Sequence, residues 1–185
     1  MKPEPAVGIE LIALAAILGF ATFVPSGLLY ATYVALAALL STYLIHCPAH
    51  YFVGRILGIR FRSIRAGTTT LSKVLPPRFA GVARHLPVLT LSTEKGSMVR
   101  TTRRRAAAMY ASGTVASVGS AIAVAAAATA SGPYQYSALA WAAALSYLLF
   151  DLAFSPRSGD LFRARNALML TPAKARVDTA SSSSL

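Results

Sequence analysis

An apolar stretch at residues 28–50, LLYATYVALAALLSTYLIHCPAH, decides the fold. Its first part, Leu28 to Ile45, contains no charged side chain. As a helix, an apolar run of about 20 residues is long enough to cross a hydrocarbon core of about 30 Å. The stretch therefore predicts a transmembrane helix that ends in two closely spaced histidines.

Three further apolar runs predict three more spans: Val7 to Val24, Ala106 to Ala130, and Tyr136 to Phe154. The turn sequences Pro25-Ser26-Gly27 and Ser131-Gly132-Pro133 separate the spans within each pair. We therefore expect an all-α membrane protein with four transmembrane helices in two hairpins. The first run is interpreted as a retained span, because only Lys2 precedes it and no small-residue cleavage site follows it.

The composition fits a membrane protein better than a nucleic-acid-binding protein. Of the 185 residues only 13% are charged, whereas soluble domains carry about 25%. The net charge of +12 comes from arginines and lysines beside the apolar runs, without the aromatic–basic interleaving of an RNA-binding motif. We expect the lipid bilayer, and no specific nucleic acid, to be the partner of these basic segments. The single cysteine, Cys47, excludes an intrachain disulfide.

The distribution of arginine and lysine predicts the orientation. Neither short turn contains either residue, whereas residues 51–105 contain twelve of them and residues 157–176 five more. Cytoplasmic segments beside membrane spans carry such an excess of positive charge. We therefore expect an integral, multi-pass protein whose two termini and central segment 51–105 are cytoplasmic.

The central segment also contains strand patterns. Apolar and basic residues alternate from Ile59 to Ile64, as in a half-buried strand. Val88 to Thr93, the turn Glu94-Lys95-Gly96, and Ser97 to Thr101 together predict a β-hairpin. We thus predict a small cytoplasmic β-hairpin layer and four parts of the chain: a first transmembrane hairpin at 1–50, a basic loop at 51–105, a second hairpin with the Asp160 segment at 106–165, and a disordered tail at 166–185.

The third span is rich in small residues, including Gly113, Ser117 and Gly119. Small residues let helix backbones approach closely in lipid, where the hydrophobic effect does not drive helix association. This span is therefore predicted to lie in the centre of the bundle.

The most specific local pattern is His46-Cys47-Pro48-Ala49-His50. Histidines at positions i and i+4 project from one face of a helix and can bind a metal ion through their ring nitrogens. An H-x-x-x-H pattern also occurs in histidine pairs that only contact other protein groups. In the zinc-protease motif H-E-x-x-H the glutamate is the general base, and Cys47 occupies that position here.

The sequence from His46 to Phe61 resembles the active-site helix of the intramembrane site-2 protease family (peptidase family M50). In that family H-E-x-x-H is followed by a small or aromatic residue, an arginine, a leucine-glycine-isoleucine step and a strand. The central β-layer and the basic lead-in Arg104-Arg105-Ala106 to a glycine-containing helix are similar to parts of that family in the same order. The resemblance extends roughly from Ile45 to Arg165.

The resemblance also implies a third metal ligand. The family has an aspartate in an N-x-x-P-x-x-x-x-D-G motif, and Asp160 takes its place here, with Asp151 at the asparagine position and Pro156 at the proline position. The spacing departs by a residue or two, and Gly159 precedes the aspartate instead of following it. The implied site is a zinc centre formed by His46, His50 and Asp160.

No catalytic residue is assigned, because a thiol at Cys47 is a poor general base. Glu10 and Asp151 are the candidate replacements, and His85 is interpreted as a solvated loop residue. We favour a metal-binding pseudoprotease that binds a membrane-embedded or extended peptide. Two alternatives remain open: an active atypical zinc intramembrane protease, and a metal-free structural subunit that contacts another membrane protein.

Overall fold

The computed structural model describes residues 2–68, 87–131 and 134–169. In chain order its elements are helix α1 (Pro3–Phe20, extended by a 3₁₀ turn at Ala21–Phe23), α2 (Leu28–Ile56), strand β1 (Phe61–Thr68), strand β2 (Pro87–Thr93), α3 (Lys95–Arg100), α4 (Arg103–Ser131), α5 (Tyr134–Ser158) and α6 (Asp160–Met169). Within the described residues, four helical segments are long and apolar enough to cross a membrane: α1, α2, α4, and α5 together with α6. The four predicted spans are therefore confirmed as helices of sufficient length.

Helices α1 and α2 form a hairpin around the predicted turn. Gly27 there has a φ of 115°, a backbone conformation that glycine adopts at little cost. The helix α2 is longer than predicted, because it continues past Ile45 and includes both histidines before it ends at Ile56. The histidine pair therefore belongs to the spanning helix itself.

Small residues fill the interior of the bundle. Ala38, Ala121, Ala125 and Ala140 are fully buried, whereas large apolar side chains lie on the outside: Leu36, Leu40, Val115, Ile122, Leu145, Leu149 and Leu152. This distribution is typical of helices that pack through small residues in lipid. The small-residue helix α4 contacts α2, α5 and α6, which confirms its predicted central position.

The sheet differs from the predicted hairpin. Strand β2 is present, but its antiparallel partner is β1, with Ile64 opposite Leu91. The predicted second strand at Ser97 to Thr101 is wrong, because Lys95–Arg100 forms the helix α3. The buried Ser97 hydroxyl accepts a hydrogen bond from the Arg60 backbone N–H at 2.7 Å. This contact anchors a helical turn beside the start of β1, in a segment whose period-2 pattern was too short to specify a strand.

The predicted disordered tail at 166–185 also begins too early. Its first four residues, 166–169, belong to the helix α6, which begins at Asp160 and ends at Met169. Residues 170–185, His85, and Gly132-Pro133 of the second predicted turn lie outside the described residues.

The sheet packs against the first helical hairpin, α1 and α2. Ala6 and Val7 of α1, Tyr51 of α2 and Ile64 of β1 form one buried apolar cluster. This cluster fixes β1 and β2 beside the C-terminal half of α2. The two histidines of α2 therefore lie at the end of the bundle that carries the sheet.

Candidate metal centre

The helix α2 presents His46 and His50 from consecutive turns. Their ring centroids are 4.8 Å apart and the rings are nearly perpendicular, at 88°. Pro48 lies between them inside the helix and is fully buried. It has no backbone N–H to donate to the carbonyl four residues earlier, yet α2 continues through it. The i, i+4 spacing thus places both imidazoles on one face.

The junction between α5 and α6 brings Asp160 next to the two histidines. The backbone N–H of Gly159 donates to the carbonyl of Ser155 at 3.0 Å, and a Cβ at Gly159 would lie 2.8 Å from the Ser155 Cα. The Ser155 hydroxyl accepts a hydrogen bond from the Leu161 N–H at 3.2 Å. The helix α5 ends at Ser158, two residues after Pro156, and Asp160 is the first residue of α6.

Both histidines meet one oxygen of that carboxylate. The Nε2 atoms of His46 and His50 lie 2.9 Å and 3.0 Å from Asp160 Oδ2. Among the described residues, these three form a group that could hold a metal ion, with ligand atoms within 4.8 Å of one another. Tetrahedral zinc, with bonds of about 2.0–2.1 Å, keeps its ligand atoms roughly 3.3 Å apart. The two nitrogen–oxygen separations, 2.9 Å and 3.0 Å, are a few tenths of an ångström shorter than that value.

The opposite ring nitrogens have protein partners of their own. His50 Nδ1 lies 2.7 Å from the Met109 carbonyl, which can only accept a hydrogen bond. The Nδ1 of His50 therefore carries the proton. His46 Nδ1 lies 3.0 Å from Ser117 Oγ, whose hydroxyl donates to the Thr42 carbonyl at 2.7 Å. Because that hydroxyl proton is already used, Ser117 accepts from His46, and the Nδ1 of His46 is protonated as well.

These hydrogen bonds of the Nδ1 atoms determine what can lie between the two Nε2 atoms and the carboxylate oxygen. In the neutral form, both histidines would turn an Nε2 lone pair toward the carboxylate oxygen, so that three acceptors would face one another. Either a cation must lie among them or both imidazoles must carry an additional proton. Hydrogen bonds from the second ring nitrogen of metal-binding histidines to carbonyl or hydroxyl groups are the usual supporting arrangement. The donor set therefore fits a divalent metal.

Gly113 of α4 makes room for the two rings. A Cβ on this residue would lie 2.3 Å from His50 Nε2 and 2.9 Å from His46 Cε1. Any larger residue would push the imidazoles from their places. The close approach of α4 to α2 at this point thus depends on glycine.

The side chain of Cys47, the residue after His46, contacts the strand β2. Cys47 is buried, and its thiol donates a hydrogen bond to the Leu89 carbonyl of β2 at 3.3 Å. The thiol therefore anchors α2 to the sheet.

The two candidate replacement carboxylates differ in their surroundings. Asp151 is close enough for its charge to interact with His46 and Asp160. The charge of Glu10 acts on Tyr43 and Cys47. Since residues 147, 151 and 155 share one face of α5, the contacts of Tyr147 and Ser155 with Ser117 and Thr114 place Asp151 toward the centre. Asp151 is the better placed of the two.

Several groups at the site were not predicted as site residues. Ser117 and the Met109 carbonyl orient the imidazoles. Arg163, three residues after Asp160, lies 3.7 Å from its Oδ1. Arg55 and Arg157, which are close to His50 and Asp160 in the sequence, are exposed. Only the four-residue spacing of Gly113 and Ser117 on a small-residue helix could have indicated the face that lies against the histidines.

The comparisons with known proteins add no relative. No family model, no curated protein and no solved structure matches this chain.

Proposed function

We propose that the chain is a membrane-embedded metal-binding protein of the site-2-protease type that has lost the general base. In this proposal it binds a membrane-embedded or extended peptide without cutting it. The observation that carries the proposal is the convergence of two Nε2 atoms on one carboxylate oxygen, with both Nδ1 atoms hydrogen-bonded outward.

Zinc is the metal that we propose, because two imidazoles and one carboxylate leave one position open in its tetrahedral arrangement. A bound zinc ion would supply a Lewis acid at that open position. His46 is the more open side of the centre, with 34% of its side chain exposed, against 10% for His50 and 12% for Asp160. A ligand would therefore reach the centre from the side of His46.

Strand β2 provides a support for the peptide. It has one strand neighbour, β1, among the described residues, and its Leu89 carbonyl touches the residue after His46. An extended peptide can add to such an edge through backbone hydrogen bonds. A peptide bound there would lie beside the histidine helix.

Metal content tests the proposal directly. Protein purified without chelators is expected to carry about one zinc ion per chain, as a tetrahedral site would, measured together with copper and nickel because these ions can bind adventitiously. His46→Ala and His50→Ala should each abolish binding. Folded wild-type protein without metal, whose stability is the same in His46→Ala, would instead support the metal-free structural subunit.

Peptidase activity distinguishes the pseudoprotease from the active alternative. With Cys47 directed toward β2, we expect no cleavage of a model transmembrane peptide by the zinc-loaded wild type. The active alternative has one observation in its favour, namely the position of Asp151 near His46. Cleavage by the wild type that disappears in both His46→Ala and Asp151→Asn would establish that alternative and overturn the pseudoprotease.

The proposed orientation places both termini and residues 51–105 in the cytoplasm, on the basis of the arginine distribution. In a Cys47→Ser background, a cysteine at Ser26 or Ser131 should react with an impermeant thiol reagent only from outside. A cysteine at Val99, which is 67% exposed on α3, should react only from the cytoplasmic side. Labelling of Val99 from outside would reverse the orientation, and labelling of Ser26 and Ser131 from opposite sides would refute the four-span arrangement.

A further inference from the structure

A group of exposed arginines lies at the end of the bundle near the candidate metal centre. We call it the arginine patch. Its members belong to the first turn of α4 and to α6: Arg103, Arg104, Arg105, Arg163 and Arg165. The only acidic residue of these two helices is Asp160, and its Oδ2 already lies within 3.0 Å of both histidines. The patch therefore has little negative charge of its own.

Two contacts show that α6 runs antiparallel to α4. At the start of α6, Asp160 Oδ2 lies 3.0 Å from His50 Nε2, the same nitrogen that a Cβ at Gly113 would strike. One turn farther along α6, the charge of Arg163 acts on Tyr110, about one turn earlier in α4. The last turn of α6 therefore lies beside the first turn of α4. The ten residues of α6 extend over about 15 Å, so the patch is compact.

Most of the positive charge in the patch has no partner in the protein. Among the described residues, Arg163 is the only member with an ion pair, and its Nη1 lies 3.7 Å from Asp160 Oδ1. A charge-assisted hydrogen bond is about 2.7–2.9 Å long, so this contact does not occupy the Arg163 guanidinium. Like charges on two adjacent helices repel one another unless anions lie among them. The patch thus favours an anionic partner.

The length of α4 indicates where that partner lies. The helix has 29 residues and is about 44 Å long. A bilayer has a hydrocarbon core of about 30 Å and measures about 40–45 Å with its headgroups. As a membrane span, α4 would reach from one headgroup region to the other. Its first turn, with three arginines, would then lie at the depth of the lipid phosphates.

The outward face of α6 favours a lipid over an acidic protein or a nucleic acid. Phe162, Arg165 and Met169 follow one another at intervals of three and four residues and therefore share one face. Phe162 is 40% exposed and Met169 65%, whereas Ala164, which points away from this face, is buried. Exposed apolar and basic side chains on one short helix are typical of helices that lie in the membrane interface.

We propose that the arginine patch binds the headgroups of anionic phospholipids. The guanidinium groups of α4 and α6 contact lipid phosphates, while Phe162 and Met169 lie among the upper parts of the acyl chains. The bound lipids hold α6 at the bilayer surface, and with it Asp160 beside the histidines. The proposal does not depend on a bound metal, because the arginines of α4 are separate from the three candidate ligands.

Competition between two lipids tests the proposal. Full-length protein in detergent micelles receives equal amounts of dioleoyl phosphatidylglycerol and dioleoyl phosphatidylcholine, which share their acyl chains and differ in headgroup charge. Native mass spectrometry counts the lipids that the protein retains. The wild type is expected to retain mainly phosphatidylglycerol. The variant R103Q/R104Q/R105Q should lower that preference at least tenfold, because each arginine near an anionic surface contributes roughly fivefold.

The matched control is R60Q/R62Q/R65Q, which removes three exposed arginines at β1 and leaves the patch intact. It should prefer phosphatidylglycerol like the wild type. If circular dichroism shows that the α4 variant does not fold, R165Q replaces it, with R62Q as its control and a roughly fivefold loss expected.

Three results would overturn the proposal. The first is equal retention of the two lipids by the wild type. The second is an equal preference in the α4 variant and its control, whether kept or lost, because the patch would then have no role of its own. The third is displacement of the retained phosphatidylglycerol by a polyglutamate peptide or by inorganic phosphate, because the partner would then be an acidic protein segment or a free anion.

Discussion

Two carboxylates, the partly buried Asp160 and the buried Glu10, contrast in what surrounds them. Asp160 Oδ2 lies within 3.0 Å of two imidazole nitrogens, and Arg163 lies near its other oxygen. Glu10 is only 5% exposed, and its Oε2 has no hydrogen-bond partner among the described residues. Ionisable groups at membrane depth are candidates for function. The contrast shows that burial alone does not make a carboxylate a candidate metal ligand, whereas the convergence of other possible ligand atoms does.

The largest expected difference concerns metal affinity. Asp160→Asn should lower zinc affinity by more than 100-fold, since loss of a direct ligand exceeds the 10- to 100-fold effect of a supporting group. Glu10→Gln should leave the affinity unchanged. Competition with a fluorescent chelator measures both. Equal losses in the two variants would mean that the carboxylates act as a general negative field and that Asp160 is no ligand.

Gly113 provides the next test, with Gly119 of the same helix as its control. A methyl group at Gly113 would strike both imidazoles, whereas one at Gly119 would meet nothing within 4 Å. We expect Gly113→Ala to weaken zinc binding by about 100-fold, the upper end for a supporting residue, and Gly119→Ala to have no effect. If both variants bind zinc like the wild type, the rings in the loaded protein do not lie where the structure places them.

A smaller effect is expected at Ser117. Its hydroxyl fixes the Nδ1-protonated form of His46, so Ser117→Ala should reduce zinc affinity by about tenfold. Ser120→Ala, which removes a hydroxyl that bonds only within α4 and to Ser41, is the control. Nitrogen NMR of the imidazoles should show a changed Nδ1 signal for His46 and an unchanged one for His50. A shift of both rings alike would contradict this role.

The smallest change is expected at Glu10, and it concerns stability alone. Replacing a buried side chain that has one unpaired oxygen by an apolar one removes a desolvation cost of about 1–3 kcal/mol. Glu10→Leu should therefore raise the free energy of unfolding in mixed micelles by up to that amount, with the zinc content unchanged. A destabilised variant, or one that loses zinc, would show that Glu10 has a partner in the folded protein and would remove the contrast with Asp160.

The four spans could be predicted because each is a long apolar run with at most one charged residue, a signal that needs no tertiary context. The error at Ser97 to Thr101 came from a five-residue alternation, whereas Lys95–Arg100 is helical and its Ser97 hydroxyl contacts the Arg60 backbone. Short segments of this kind are decided by their neighbours.

The sequence likewise indicated only part of the candidate metal centre. The spacing of His46 and His50 alone predicts that they share one face of a helix, and in the structure they do. Asp160 lies 110 residues from His50, and only the family resemblance indicated it. The Met109 carbonyl could not be predicted, because it belongs to the backbone and is the same for every residue type. The identity of the metal, the peptide and the orientation in the membrane stay predictions.

The junction at Gly159 has a consequence for biogenesis. Asp160 begins α6, so it leaves the ribosome after α1, α2, α4 and α5 have been synthesised. In the proposed metal centre, the histidines of α2 would have to wait for this third ligand. A metal ion bound at that moment would join α2 to α6 and would report that these two helices, far apart in the sequence, have come together.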